Sequence, residues 1–360
     1  METTSPDIVA LRDKAVGLLE KLLATPSLSR SEDKTAPILK EFLESEGFEY
    51  KTKGNNVWAE SENHLPGAPV ILLNSHHDTV KPATDWTKEP FAATYEGEKL
   101  YGLGSNDAGA SLVSLATVFA TLAKSETTLP YKLIFASTAE EEISGPNGVA
   151  SVLPELPTPD LGIVGEPTKC QMAVAEKGLI VIDATAEGVA GHAAREEGIN
   201  AIYKAMTDIE WLATYTFPKM SETLGPVKVS VTQIEAGSQH NVVPDRCSFV
   251  IDVRTTDRYT NEEIVEIIDQ NTRSVIKPRS CRLNSSGLPA DHPAVLKAEA
   301  MGLERFGSPT LSDQALMSFP TVKIGPGDSA RSHTADEYIL VSEIEQGIRT
   351  YLELLDGLKL

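Results

Sequence analysis

Cysteine is scarce: the 360 residues hold three, Cys170, Cys247 and Cys281, and none share a CxxC spacing. That excludes a disulfide framework and a thiolate zinc site, and it predicts a reducing, cytoplasmic home. Runs of lysine or arginine are also missing, and the formal net charge is −20, so a polyanion such as nucleic acid is repelled rather than gathered. No apolar stretch is long enough to cross a bilayer. The opening METTSPDIVALRDKAVGLLEKLL lacks the basic start of an export signal and reads as an amphipathic helix after a short polar start. No partner in the membrane is expected, and there is no internal repeat, low-complexity tract or long flexible linker. What remains is a soluble chain, 41% hydrophobic, long enough for two domains.

Residues 7–48 read as helical. Short apolar runs then follow at 57–59, 70–73 and 133–136, separated by helix-like stretches such as 109–124, which is the alternation of an α/β sheet domain. From about Ala173 the pattern turns β-rich, at 178–185, 227–234 and 247–254, with helical stretches at 198–215 and 261–274. A helix at 293–306, an apolar run at 320–324 and a last helix near 342–356 return to the α/β texture. The expected division is therefore a discontinuous first domain, 1–172 with 286–360, carrying a compact β/α insert at 173–285.

Five polar clusters follow apolar runs, where strand ends favour ligand sites. In Ser75-His76-His77-Asp78-Thr79, His76 can offer one ring nitrogen to a metal while a carboxylate fixes the other; taken alone the segment equally fits a turn or a helix N-cap. His77 reads as structural. The glycine-rich turn at 102–110 carries Asp107 and lacks a phosphate-loop lysine, so a nucleotide site is not indicated. Glu140, Glu141 and Glu142 are consecutive acids after an apolar strand: either a solvated loop end, or a pair that divides metal binding from proton transfer. Glu166 follows 161–164, and Asp328, His333 and Glu337 follow the last apolar run. Two histidines with several carboxylates at strand ends form a mixed nitrogen and oxygen ligand set that suits zinc and tolerates cobalt or manganese.

With SHHDTV, GLGSNDAGA, TAEEE, VGEPT and ARSHTADEY in this order, the chain resembles the acetylornithine deacetylase, succinyl-diaminopimelate desuccinylase and aminoacylase family of two-zinc hydrolases over nearly its whole length. The resemblance implies a mixed sheet flanked by helices, plus an inserted α+β lid and dimerisation domain. It implies two Zn2+ ions, one held by His76, Asp107 and Glu166 and the other by Asp107, Glu142 and His333. Asp78 stands behind His76, and Glu141 is the base. Glu140 departs from the family, where aspartate is more usual. In the insert, GVAGHAA matches the family's lid histidine segment at His192, with alanines where serines are common, while Asn241 of HNVVPD and Arg254 of DVRTTD match positions that hold the substrate.

The activity so implied is hydrolysis of an N-acyl amino acid, with Glu141 as base and His192 stabilising the oxyanion, in a homodimer acting on a small substrate. N-acetyl-L-ornithine leads, in arginine biosynthesis. Lys177 aligns with an arginine that contacts a succinyl group in desuccinylases, so N-succinylornithine and N-acylcitrulline are alternatives, and a solvated lysine is the plainer reading. The rival classes are a dipeptidase or carboxypeptidase of the same family and a non-catalytic relative; the complete set of ligands argues against the latter.

Overall fold

The computed structural model describes residues 6–360; the short polar start expected at residues 1–5 lies outside them. The chain forms two compact units. One contains the chain up to Val174, Gly287–Phe306 and Ser312–Leu360; the other contains Ala175–Ser286 and Gly307–Leu311. Among the described residues no helix is long and apolar enough to cross a membrane.

The first unit is built on strands apolar on both faces. In Val70–His76, Ile71 and Leu73 point into one hydrophobic cluster and Leu72 into another, the period-two alternation of a strand covered on each side. This strand pairs in parallel with Lys132–Thr138 and with Leu161–Val164, and Leu161–Val164 pairs in parallel with Thr321–Lys323. Asn56–Glu60 joins antiparallel beyond Lys132–Thr138, and Met172–Glu176 antiparallel beyond Thr321–Lys323, so the sheet is mixed. Helices Ile8–Leu23, Ala110–Ala123 and Val341–Leu355 share one cluster with the sheet, through Leu19, Leu115, Phe119 and Tyr351 against Ile71, Phe135, Ile163 and Val322. Residues 110–120 are all buried, as expected of a helix apolar around its whole circumference.

Two sequence expectations need correction. The helix expected over 7–48 is two helices, Ile8–Leu23 and Thr35–Ser45. Pro26 has no N–H to continue the first, and Leu28 bridges Thr79 instead, which carries residues 28–32 toward the end of the 70–76 strand. The helix expected over 293–306 stops at Ala300, because Gly302 takes a left-handed φ of 79°, and Arg305–Ser308 is a strand.

The second unit is an α+β insert. Four antiparallel strands run in the order Lys228–Ala236, Arg246–Thr255, Gly178–Glu187, Val275–Pro278. Burial alternates strictly along the two central strands. Their inward residues, among them Ile180, Ile182, Phe249 and Ile251, pack against Ala201, Ala205, Ile264 and Ile268 of helices Ala201–Thr214 and Asn261–Asn271. Asn200 caps the first helix, and a Thr260/Glu263 capping box starts the second.

Because four strands of the first unit are parallel, their C-terminal ends fall at one edge of the sheet. His76 ends one strand, Glu140–Glu142 follow Thr138, Glu166 follows Val164, and the segment to His333 follows Lys323. Loops at such ends are where α/β sheets bind their ligands.

Candidate metal centre

These loops converge. His76 Nε2 lies 3.4 Å from Asp107 Oδ1, 3.8 Å from Glu166 Oε1 and 3.8 Å from Glu141 Oε2. His333 Nε2 lies 3.0 Å from Glu142 Oε2 and 3.6 Å from Asp107 Oδ2. Asp107 thus turns one oxygen to each imidazole, the disposition of a carboxylate shared between two cations. Two sets, His76 with Asp107 and Glu142, and His76 with Glu141 and Glu166, each bring three ligand atoms within 4.8 Å of one another.

Backbone conformation supports this convergence. Gly104 has a φ of +80°, and a Cβ there would stand 2.6 Å from Thr79 Cγ2, so the turn before Asp107 requires glycine. Glu140 and His333 are non-glycine residues in the left-handed region, with φ of 56° and 59°.

Behind these groups lies a layer of buried acceptors. His76 Nδ1 meets the backbone carbonyl of Asp78 at 2.9 Å, which leaves Nε2 to face the carboxylates. The Asp78 carboxylate, expected to orient His76, is 3.5 Å from Nδ1 and is occupied elsewhere. It accepts from Glu141 N at 2.9 Å, from Glu142 N at 3.2 Å and from Ser29 Oγ at 2.7 Å, so it fixes the acidic turn as well as standing behind the histidine. Glu32, fully buried, accepts from Glu140 N and Asn55 Nδ2. The Glu140 carboxylate is taken by Asn147, through its backbone N and Nδ2. Sequence reasoning gave no role to Ser29 or Glu32; an acid in the break between two helices is the only sign of Glu32. His77 is buried with Thr35 Oγ1 at Nδ1, 2.8 Å, and Asn55 O at Nε2, 3.1 Å; burial pushes it down to about 4, a neutral structural ring.

The charges suit a cation site. Two imidazoles stand among four carboxylates, and apart from His333, which is exposed, these groups lie in burial that disfavours charge. Burial is the largest influence on Glu141, raising its carboxyl well above the usual range with help from Glu166 and Asp313. Burial, then Asp107, pushes Glu166 up to about 8. At His76 burial opposes protonation, yet Glu141, Asp107, Asp78 and Glu166 together hold it well above the usual value. The hydrogen bond with Glu142 lifts His333 to about 9. The excess of buried carboxylate over imidazole is one that divalent cations would offset, and the oxygen and nitrogen donors are those such ions take.

The remaining candidates belong to the insert. Gly191–His192 pairs with Val242–Val243, and Ala193 N donates to Asn241 O at 3.0 Å, so His192 and Asn241 share one exposed ribbon. Arg254 Nε and one terminal nitrogen donate to the two oxygens of Asp252, at 2.9 and 3.1 Å. Lys177 Nζ donates to Pro226 O at 2.7 Å, which gives it a structural partner.

Fold and donor set together define a candidate divalent-metal centre, and the family that the chain matches is one of hydrolases whose relatives act on amide bonds. Residues 72–357 match peptidase family M20/M25/M40, and the chain belongs to that family. It is similar to an acetylornithine deacetylase of Proteus mirabilis, 27% identical over 365 residues that cover 92% of this chain and 93% of that one. It is similar to a putative succinyl-diaminopimelate desuccinylase of Mycobacterium tuberculosis, 28% identical over 361 residues that cover 96% of this chain and 99% of that one. Its fold is similar to that of YXEP of Bacillus subtilis, a dinuclear metal binding peptidase from the M20 family, with a TM-score of 0.75, 19% identity and coverage of 97% and 98%.

Proposed function

We propose that this chain removes the acyl group from an N-acyl amino acid, with N-acetyl-L-ornithine the first candidate and N-succinylornithine and N-acylcitrulline its near relatives. The observation that carries the reading is Asp107, whose two oxygens face His76 and His333 while Glu166 and Glu142 stand beside those rings. The resemblance over 92% of the chain to an acetylornithine deacetylase supports the choice of substrate.

His76, Asp107 and Glu166 would hold one divalent cation, and Asp107, Glu142 and His333 a second, with zinc the first choice. When bound, such a pair lowers the pKa of water held at the site and polarises the acyl carbonyl. Glu141 is the proposed base: its raised carboxyl takes the proton of the attacking water and returns it to the departing amine. Asp78 keeps Glu141 in place through its backbone N–H. His192 is the proposed donor to the oxyanion of the tetrahedral intermediate. Asn241 and Arg254 are assigned to the substrate, Arg254 exchanging part of its pairing with Asp252 for a carboxylate. Lys177 donates one N–H to Pro226 O and keeps two more for a succinyl carboxylate, which is why N-succinylornithine stays an alternative. A cytoplasmic homodimer associated through the insert completes the proposal.

The test is hydrolysis of N-acetylornithine, N-succinylornithine, N-acetylcitrulline, N-succinylcitrulline and an unblocked dipeptide, each with and without chelator. Chelator-sensitive release from an N-acyl substrate is expected, and activity on the dipeptide alone refutes the deacylase reading. Glu141→Gln should bind metal as before and lose about 10²–10⁴-fold in kcat; retained turnover removes Glu141 as the base.

A further inference from the structure

One buried carboxylate at this edge of the sheet has no place in the chemistry above. Glu337 is 2% exposed, four residues beyond His333. Its Oε1 accepts from the backbone N–H of Asn106 at 2.8 Å and of Asp107 at 2.9 Å, and its Oε2 from that of Gly104 at 3.1 Å. Its own carbonyl accepts from Gly102 N at 3.1 Å. We propose that Glu337 is a positioning residue that clamps the loop bearing Asp107 to the segment bearing His333 and so sets the separation of the two groups. The inference rests on the reading that Asp107 and His333 hold cations.

Three features make the clamp specific to those two segments. The next residue, Tyr338, pairs with Tyr101, so the two segments enter the clamp already in register. Asn106, fully buried, forms a second clasp between the same partners: its Oδ1 accepts from Asp328 N at 2.9 Å, and its Nδ2 donates to Asp328 O at 3.1 Å and Ser332 Oγ at 3.3 Å. The third is chemical. Both oxygens of Glu337 act as acceptors and together satisfy three backbone N–H donors, whereas an amide in its place turns an NH2 toward at least one of them. Between these clasps sits Asp107, with its oxygens 3.4 Å from His76 and 3.6 Å from His333. Releasing Glu337 lets the Asp107 peptide rotate, and a shared carboxylate loses its aim at one imidazole before it loses the other. Groups that orient ligands in this way cost about 10–100-fold in metal affinity or activity when replaced.

The experiment titrates the full-length wild type, Glu337→Gln and Glu337→Asp with Co2+, follows the visible absorption band, and competes the metal with a chelator. Tm of each metal-free protein, and kcat and KM on the best wild-type substrate, are measured alongside. E337Q is expected to show a shifted band, about 10–100-fold weaker binding of one Co2+ equivalent and a matching fall in kcat with KM little changed. E337D keeps both acceptor oxygens on a shorter side chain and should recover part of each. A wild-type band, affinity and kcat in E337Q overturn the inference, whether or not its Tm falls. If E337Q does not fold, E337D carries the test, and a wild-type spectrum and affinity there overturn it. A wild-type protein that takes up no cobalt overturns the metal reading itself and this inference with it.

Discussion

Loading the metal-free protein with Zn2+ at pH 7 should expel protons, and the site geometry sets how many. His333 stands at about 9, held there chiefly by its hydrogen bond with Glu142, and Glu166 at about 8, raised by burial and then by Asp107. At pH 7 their protonated fractions are about 0.99 and about 0.9, and ligation requires both groups deprotonated, so these two alone give up about 1.9 protons. At pH 9 the fractions fall to about 0.5 and about 0.1, and the yield to about 0.6. The sign follows: both groups carry a proton in the metal-free protein that binding must remove, so affinity climbs as pH rises, by about two log units per pH unit near neutrality, and flattens above about pH 9. His76 and Glu141, also raised, contribute any excess over these values without altering the direction. Calorimetric titration in two buffers of different ionisation enthalpy, at pH 7 and pH 9, counts the protons. Release of less than about one proton at pH 7, or no decline by pH 9, would refute the assignment of His333 and Glu166 as ligands.

His77→Leu should leave metal stoichiometry unchanged, because His77 is already bound by Thr35 and Asn55. It should lower stability at pH 7 by about 1–3 kcal/mol through the unpaired carbonyl of Asn55. The wild type also loses stability as pH falls from 6.5 toward 4, by about 3 kcal/mol through this ring, since the unfolded chain protonates His77 first; a pH series of Tm values on the Leu variant should lack that component. Thiol labelling of the folded protein should modify Cys281 and spare Cys170 and Cys247, which are buried, with the Cys170 thiol pushed up to about 11 by burial. Mass spectrometry of the labelled chain reads this directly, and modification of Cys170 at the rate of Cys281 refutes it.

The sheet was legible because its strands are apolar on both faces and end abruptly in polar residues: 70–73 before His76, 133–136 before Glu140, 161–164 before Glu166. The insert was legible because its strands alternate, inward Ile180 and Ile182 against outward Leu179 and Val181. Helix ends were less so. Residues 24–34 carry Pro26 and three serines, which favour a break, and tertiary contacts then hold the segment out of helix: Leu28 against Thr79 and Ser29 against Asp78. The roles of the buried acceptors escaped for the same reason. Glu32 and Glu337 bind backbone N–H groups of segments over a hundred residues away, and backbone donors leave no mark in a sequence.

Three consecutive acids pose the sharpest case, since the residues of TAEEE alone do not choose among them and only the family resemblance put the base on Glu141 and the ligand on Glu142. Their partners separate them. Glu140, in a left-handed turn, spends both oxygens on Asn147 and is a brace for the turn. Glu142 meets His333 at 3.0 Å, the contact expected of two groups converging on one cation. Among the described residues Glu141 makes no hydrogen bond of that kind; it lies 3.8 Å from His76, its carboxyl raised by burial and by Glu166 and Asp313. A group that must accept a proton in one step and surrender it in the next works best when its pKa lies near the operating pH, and burial moves a glutamate in that direction. Asp78, by accepting from the N–H groups of both Glu141 and Glu142, holds the proposed base and the proposed ligand at a fixed offset, so that one buried carboxylate keeps the two roles on separate side chains.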